Sequence, residues 1–361
     1  MKKRILQIIP SLERSGTAKQ LSLTARGLPR DEFDLHVCAI GRGGPIADEL
    51  AAAGVPVTVI NTRWPVDPLA YWRLHRHVAR LKPELIHTWQ PAATVYGHAV
   101  AKACGVERLV VGLRSLSAFD AQPTRYVTRH CWRVVVNSPV VRDAAVHRGL
   151  PAERILVVPN AVQPAAPSTT TRRQLLAELG LPEDARLIGA VGPLLRRKRL
   201  KDAIWIADLL KVIRDDVHLL IVGDGPHRDR LDRFREQVRI PDKVHFLGTR
   251  GDVPRLLPHL DVFWSTGTCD VSPNAVMEAM AAGVPVVAAD VPGLRDLVVP
   301  ESTGYLASVG NRATFTRYTQ ILLDDANLSQ QFGQAGRQRM EELFTLDKMT
   351  ASYADLYCRR R

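Results

Sequence analysis

The sequence predicts an α/β protein made of two doubly wound, parallel-sheet units, and three observations predict it. At 361 residues the chain is too long for one ordinary α/β domain and suits two of about 150–180 residues. Short β-branched or aliphatic runs alternate with helical patterns, which implies parallel strands covered on both faces. The alternation stops once, over Gln163–Thr171 (QPAAPSTTT), a composition typical of a linker, and then starts again.

In the first half the strand-like runs are Ile5–Ile9, Phe33–Ile40, Pro56–Ile60, Leu85–Thr88, Leu109–Leu113, Val134–Asn137 and Ile155–Pro159. Helical patterns lie between several of them, at Lys19–Gly27, Ile46–Ala53, Pro68–Leu81 and Ala93–Cys104. After the linker come strands at Leu187–Val191, Val217–Val222, Lys243–Leu247, Val262–Ser265, Val284–Ala288 and Gly304–Leu306. Helices are expected at Asp202–Ile213, Arg228–Gln237 and Ala275–Ala282, and a last one at Leu346–Tyr357. The predicted division is 1–163, with 346–361 packing back on it, and 164–345. In such sheets ligands bind outside the carboxyl ends of the strands, so two facing units are expected to enclose a deep cleft.

An apolar fraction of 46% and a charged fraction of 24% supply an ample core and exclude a disordered chain. No run of 18 apolar residues occurs, which argues against a membrane span. The start MKKRILQIIP is charged like a leader, but its apolar stretch is too short and reads as a first buried strand. Five cysteines, Cys38, Cys104, Cys131, Cys269 and Cys358, are scattered and odd in number. That pattern fits a reducing cytoplasm rather than a disulfide framework or a zinc site. The net charge of +12 is uneven: residues 1–160 carry 22 Lys+Arg against 12 Asp+Glu, the remainder 27 against 25. An anionic partner for the first half is expected, among which a nucleic acid, a membrane surface and a phosphorylated acceptor compete with plain solvated charge. The helix Pro68–Leu81 mixes Trp72, Arg73, His75, Arg76, His77 and Arg80. It suits an inner-leaflet membrane surface, unless Leu69, Trp72, Val78 and Leu81 form its buried face.

The stretch Thr266–Val298 carries most of the chemistry. It follows an apolar strand, Ser272 is a good N-cap and Pro273 suits the first helical position. A helix start after a parallel strand offers N–H groups and a positive dipole end to a phosphate or a hydroxyl. Asp270 on the loop and Glu278 on the helix can bracket a polyhydroxylated ligand by accepting its hydroxyl protons. Before the restarted alternation gathers pace, VGPLLRRKR places Lys198 and its arginines after the strand ending in Gly192.

The run DVSPNAVMEAMAAGVPVVA resembles the E-x7-E signature of the retaining GT-B glycosyltransferases of family 4, with matches at Pro273, Asn274, Glu278, Ala279, Met280, Ala281, Gly283 and Pro285. It is similar in particular to the branch that assembles O-antigen and related surface polysaccharides. IIPSLERSGTAKQ, with Gly16, is similar to the family's first glycine loop. ELIHTW, VVNS, VVPNAV, IVGDGP and VHFLGTRGDVP follow in the family's order, so the resemblance spans essentially the whole chain.

The resemblance implies a GT-B fold and transfer of a hexosyl unit from a UDP- or GDP-sugar to a lipid-linked saccharide, with no metal and no cofactor. Glu278 would accept the donor ribose hydroxyls and Asp270 would contact the donor sugar. Lys198 would stabilise the charge that develops on the leaving diphosphate, with Gly16, Gly192, Arg196 and Arg197 around it. Thr249, Arg250 and Val253 would lie beside the base, and Ser272, Pro273 and Asn274 along the donor. His87, Arg114 and Ser115 are the candidates on the acceptor side.

Three positions depart from the family. Asp270 is one methylene shorter than the usual Glu, Pro193 stands where an Arg is usual, and Arg114 and Ser115 occupy a loop that often holds a His. Arg196 or Arg197 can replace the missing guanidinium. These departures keep a non-catalytic nucleotide-sugar-binding protein open as a second reading. A nucleic-acid binder accounts for the RRKR run but not for the ordered motifs, and an epimerase shares only the architecture.

Overall fold

A computed structural model describes residues 2–64, 66–116, 122–163, 170–268 and 273–359. The chain divides into two compact units, Met1–Ala161 with Leu346–Arg361, and Val162–Thr345.

The first unit holds a seven-stranded sheet of β1 (Lys3–Ile9), β2 (Phe33–Ala39), β3 (Val57–Val59), β4 (Leu85–Trp89), β5 (Arg108–Leu113), β6 (Arg133–Val136) and β7 (Ile155–Val157). The order is β3-β2-β1-β4-β5-β6-β7 and every pairing is parallel. Ile5 to Ile9 are all buried, Gln7 included, as expected of a strand covered on both faces. The chain runs outward from β1 to β3, then returns to β4 beside β1, which makes that junction the topological switch point.

The second unit repeats the plan with β8 (Arg186–Val191), β9 (Val217–Val222), β10 (Val244–Gly248), β11 (Val262–Ser265), β12 (Val286–Ala289) and β13 (Gly304–Ala307). Their order is β10-β9-β8-β11-β12-β13, again parallel throughout, with the switch point between β8 and β11. Ile188, Leu220, Phe263, Trp264 and Met280 centre its core. These two Rossmann-like sheets are the fold class that the alternation predicts, with strand ends moved by two residues at most.

The helix Leu346–Cys358 belongs to the first unit, where Met349, Tyr353, Leu356 and Tyr357 are buried. It packs on the helix Gly16–Gly27 closely enough that a Cβ at Gly27 would stand 2.6 Å from a Thr350 methyl.

Helices also form at Gln122–His130, Pro139–His147, Arg172–Leu179, Arg312–Asp324 and Ala326–Leu343, where the sequence pattern marks none. They are short or polar, and the last contains Gly333, which touches backbone: a Cβ there would come within 2.1 Å of the Gly283 carbonyl. A second correction concerns Pro68–Leu81. Its buried row is Ala70, Leu74 and Val78, so Leu69 and Trp72 do not face the sheet. No helix among the described residues is long and apolar enough to cross a membrane. Cys38, Cys104, Cys131 and Cys358 are unpaired, and Cys269 lies outside the described residues.

Candidate functional site

In the second unit the carboxyl ends of β8, β9 and β10 finish in three glycines with positive φ: Gly192 (+150°), Gly223 (+134°) and Gly248 (+66°). The Gly192 amide donates to the Val222 carbonyl at 2.9 Å and the Gly223 amide to the Gly248 carbonyl at 2.7 Å. A Cβ on Gly223 would stand 2.1 Å from the Gly192 oxygen, so side chains are excluded where these backbones meet.

From Gly192 the chain passes Pro193, inserts the buried Leu194 and makes a 3-10 turn at Arg196–Lys198. The Lys198 side chain folds back over the strand end, with Nζ 3.9 Å from where a Gly192 Cβ would be. The turn is held from β11, whose following residue Thr266 donates its hydroxyl to the Lys198 carbonyl at 2.9 Å. Arg199 then adopts a left-handed φ of +50° and starts the helix Leu200–Lys211. Its guanidinium pairs with Asp202 at 2.5 Å, and Asp202 also receives Arg312 at 3.0 Å. Arg196 and Arg197 are exposed on the same turn.

A small pocket at the ends of β8 and β11 is lined by Gly192, Lys198, Thr266, Gly267, Pro273 and Val276. The helix Asn274–Ala281 closes one side of it, with Val276, Met277, Ala279 and Met280 buried and Glu278 half-buried. The helix starts at Asn274, and Pro273 takes the cap position in place of the expected Ser272, so Pro273 is not the first helical residue. Gly283 ends the segment with φ +78°. Lys198, Gly192, Pro273 and the helix that carries Glu278 are thus brought to one strand-end region. Asp270 and Ser272 lie outside the described residues.

The expected base-side residues divide. Thr249 is exposed after β10 and Val253 opens the short helix Val253–Leu256. Arg250, by contrast, is engaged: Asp252 takes its guanidinium at 2.8 and 2.7 Å, and Glu178 takes it at 3.0 Å. The Arg250 hydrogen bonds hold both carboxyls below their ordinary range. Two carboxylates already fix the fork, so its structural partners are local acids.

In the first unit Gly16 is the exposed first residue of the helix Gly16–Gly27, and Ser15 caps it by accepting from the Ala18 amide at 3.2 Å. Its position suits an anion at a helix N-terminus. His87 differs from the expectation of an acceptor contact. It is fully buried in β4, with Nδ1 2.7 Å from the Tyr357 hydroxyl. Burial, and then the Arg114 charge, push its pKa well below the usual value. It is packed inside the sheet with no exposed surface. Arg114 reaches Tyr353 Oη at 2.8 Å and Asn160, and stacks 4.2 Å over Trp89. Ser115, half-buried, follows it. The motifs did not reveal Gln7, Asn160, Tyr353 and Tyr357 as partners of this cluster. A Gln inside LQII and two Tyr one helical turn apart were the available signals.

Among the described residues no group of three His, Cys, Asp or Glu is placed to hold a metal.

Residues 171–339 match the family described as glycosyl transferases group 1, and residues 14–166 match glycosyltransferase family 4. The chain is 31% identical to the 2-deoxystreptamine glucosyltransferase of Streptomyces kanamyceticus, over 88% of this chain and 82% of that one. It is 24% identical to the UDP-Gal:alpha-D-GlcNAc-diphosphoundecaprenol alpha-1,3-galactosyltransferase of Escherichia coli, over 98% and 95%. With the N-acetyl-alpha-D-glucosaminyl L-malate synthase of Bacillus anthracis the 29% identity spans only about half of each protein, 51% of this chain and 48% of the relative. The crystal structure of Anabaena Alr3699/HepE in complex with UDP and glucose superposes with a TM-score of 0.87, covering 98% of this chain and 99% of that one at 22% identity. That likeness is one of fold.

Proposed function

The chain belongs to the group 1 glycosyltransferases, with a family 4 first unit, and from that premise we propose that it transfers a hexosyl unit with retention from a UDP- or GDP-sugar to a lipid-linked saccharide of the cell envelope. The observation that carries the reading is Lys198 folded over Gly192 at the carboxyl end of β8, beside the helix that presents Glu278. That is the strand-end position at which a doubly wound sheet receives a nucleotide.

Each group has a role in this reading. Lys198 faces the diphosphate and offsets the charge that grows on its oxygen as the glycosidic bond breaks. Glu278 accepts hydrogen bonds from the ribose hydroxyls, and the role assigned to Asp270 and Ser272 is recognition of the donor. The leaving phosphate oxygen removes the acceptor proton on the face it departs from, so no side-chain nucleophile is needed. Lysine and amide dipoles supply the positive charge, and the reaction requires neither metal nor cofactor.

The relative that acts on a diphosphoundecaprenol-linked sugar supports a lipid-linked acceptor and a nucleotide diphosphate donor. Such an acceptor lies at the cytoplasmic face of a membrane, where we place the protein. The test is calorimetric titration of UDP-, GDP- and ADP-sugars in the presence of a chelator, with Lys198→Ala and Glu278→Ala alongside. Binding of one nucleotide class, lost in both variants, is the expected result. No binding to the wild type overturns the reading. Binding without release of sugar to any acceptor moves the protein to the non-catalytic class.

A further inference from the structure

We propose that Arg114 is an anion receptor: a guanidinium kept without a counter-charge at the carboxyl end of the first sheet, where it takes an oxyanion, phosphate or carboxylate, carried by the acceptor. The word acceptor rests on the transferase reading above, but the site stands on residues of the first unit alone.

The side chain is a desolvated charge with neutral partners. Arg114 is half-buried, and burial lowers its pKa. Its Nη2 donates to the Tyr353 hydroxyl at 2.8 Å, its Nη1 donates to the Asn160 side-chain oxygen, and the guanidinium lies 4.2 Å over the Trp89 ring. Burial raises the pKa of Tyr353 and pushes that of the neighbouring Tyr357 well above its ordinary value, so neither phenol is ionised. No carboxylate among the described residues pairs with Arg114. Arg199, Arg214 and Arg250 in the second unit are likewise half-buried, and each of them holds a carboxylate. A cation taken out of water is ordinarily paired, and at Arg114 the pairing is left open.

The geometry leaves donors to spare. A guanidinium has five N–H groups. Tyr353 and Asn160 take two of them, and the stack on Trp89 fixes the plane, so the rest of the fork is held in one orientation. A planar fork of this kind matches the paired oxygens of a phosphate or a carboxylate. The surroundings are short of acceptors as well. The Trp89 indole N–H is buried and has no hydrogen-bond partner among the described residues. Tyr353 and Asn160 are therefore positioning residues, which act through Arg114.

Position ties the site to a ligand of this unit. Arg114 directly follows β5, Trp89 ends β4 beside it, and Asn160 follows β7. These are carboxyl ends of strands, and β4 borders β1 at the switch point, where a doubly wound sheet receives its ligand. Residues 1–160 carry 22 Lys+Arg against 12 Asp+Glu, a balance that draws anions toward this unit.

The test is calorimetry on the whole chain with UDP at saturation, titrating in inorganic pyrophosphate and, separately, methyl glucuronide. The two probes distinguish a phosphate source from a carboxylate source. The wild type is expected to bind one of them, and Arg114→Gln to bind it about 10- to 100-fold more weakly. Arg114→Lys should recover part of the affinity, since it restores the charge without the fork. Tyr353→Phe keeps the charge but releases one arm of the fork, and should lose a few-fold. Affinity for UDP should be the same in all four proteins. A purely structural Arg114 would lower the thermal midpoint of the variants and leave anion affinity unchanged, and that result overturns the proposal. It is also overturned if the wild type binds neither anion, or if Arg114→Gln weakens UDP to the same extent, which assigns the guanidinium to the donor diphosphate. If Arg114→Gln fails to fold, Arg114→Lys and Tyr353→Phe carry the same comparison. A wild type that binds an anion through Arg114 but no nucleotide keeps this site and loses the transferase reading; one that binds UDP but neither anion does the opposite.

Discussion

The Tyr357 hydroxyl sits 2.7 Å from Nδ1 of His87 and also accepts a hydrogen bond from Nε2 of Gln7 at 3.1 Å. One phenol on the last helix thus satisfies polar groups on the two central strands, β1 and β4. All three residues are buried, so the bonds are made where water does not compete. Tyr353 one turn earlier repeats the device toward Arg114, which itself holds Asn160. The C-terminal helix is therefore joined to the first unit by specific polar pairs as well as by apolar contact.

Tyr357→Phe keeps the ring and removes the shared oxygen, leaving Gln7 and His87 without that partner. Loss of a buried partner costs about 1–3 kcal/mol. Urea unfolding should show a midpoint lowered by that amount with little change in m. A change below about 0.3 kcal/mol would mean that a water takes the hydroxyl's place.

The same cluster makes stability depend on pH. The folded pKa of His87 is depressed well below its ordinary value, first by burial and then by the Arg114 charge. In the unfolded chain the ring titrates near about 6.5, so below that pH the unfolded state binds more protons. The stability is full above about 6.5 and is lost as pH falls from there toward the depressed folded value. His77, His98, His218, His245 and His259 are lowered as well, mainly by burial, and contribute in the same direction. The difference between wild type and His87→Gln isolates the one residue. His87→Gln should start less stable at pH 7.5 yet lose less between pH 6.5 and 5, by up to about 1.4 kcal/mol per pH unit. Parallel curves for the two proteins would remove His87 from the account.

Both sheets were legible in the sequence because a parallel strand covered on both faces is almost wholly apolar, as in Val286–Ala289 (VVAA) and in Val217–Val222, where His218 alone is polar. Which face of Pro68–Leu81 turns inward was not legible. The expected face of Leu69, Trp72, Val78 and Leu81 and the buried row of Ala70, Leu74 and Val78 share Val78 and are both acceptable at helical spacing, and only tertiary packing, in which the helix Pro91–Ala103 is a neighbour, selects between them. For the site, the order of motifs located the strand-end region with Gly192, Lys198 and the Glu278 helix. It did not show the ion pair of Arg250 with Glu178, because Glu178 lies 72 residues away in the chain. His87 was ambiguous for the same reason: its partner Tyr357 is 270 residues distant.

Asp202 supports the Lys198 turn at one remove. Its side chain is 9% exposed and holds Arg199 and Arg312, each 35% exposed. Removing one partner of a fully buried pair costs about 3–5 kcal/mol, and the partial exposure of both arginines lowers this by screening. Asp202→Ala should therefore destabilise the second unit by about 2 kcal/mol. Because Arg199 loses the tether that holds its left-handed backbone, donor affinity should fall a few-fold besides. Unfolding and calorimetry on the same variant read both effects, and unchanged affinity would disconnect this pair from the turn.

Lys198→Ala deletes the ammonium over Gly192. A hydrogen bond to a charged group contributes about 1.5–3 kcal/mol, so the donor dissociation constant should rise about 10- to 100-fold. The turn is near the surface, and stability should stay within about 0.5 kcal/mol of wild type. Lys198→Arg should recover part of the loss, since it restores charge but replaces a compact ammonium by a planar fork. Equal affinity in all three proteins would remove Lys198 from the donor site.

Two glycines with positive φ separate backbone strain from contact. Gly180 caps the helix Arg172–Leu179 at φ +67° with nothing within 4 Å of a built Cβ. Gly223 has φ +134° and a Cβ position 2.1 Å from the Gly192 carbonyl oxygen. Gly180→Ala should cost about 1 kcal/mol, the strain of a left-handed alanine alone. Gly223→Ala adds a collision with backbone that cannot rotate away, and should cost about 3 kcal/mol or more. The collision also displaces Gly192 from beneath Lys198, so Gly223→Ala should weaken donor binding while Gly180→Ala leaves it intact. Equal costs for the two substitutions would show that the strand ends are slack, and that the close approach of Gly192 and Gly223 does not set the position of the lysine.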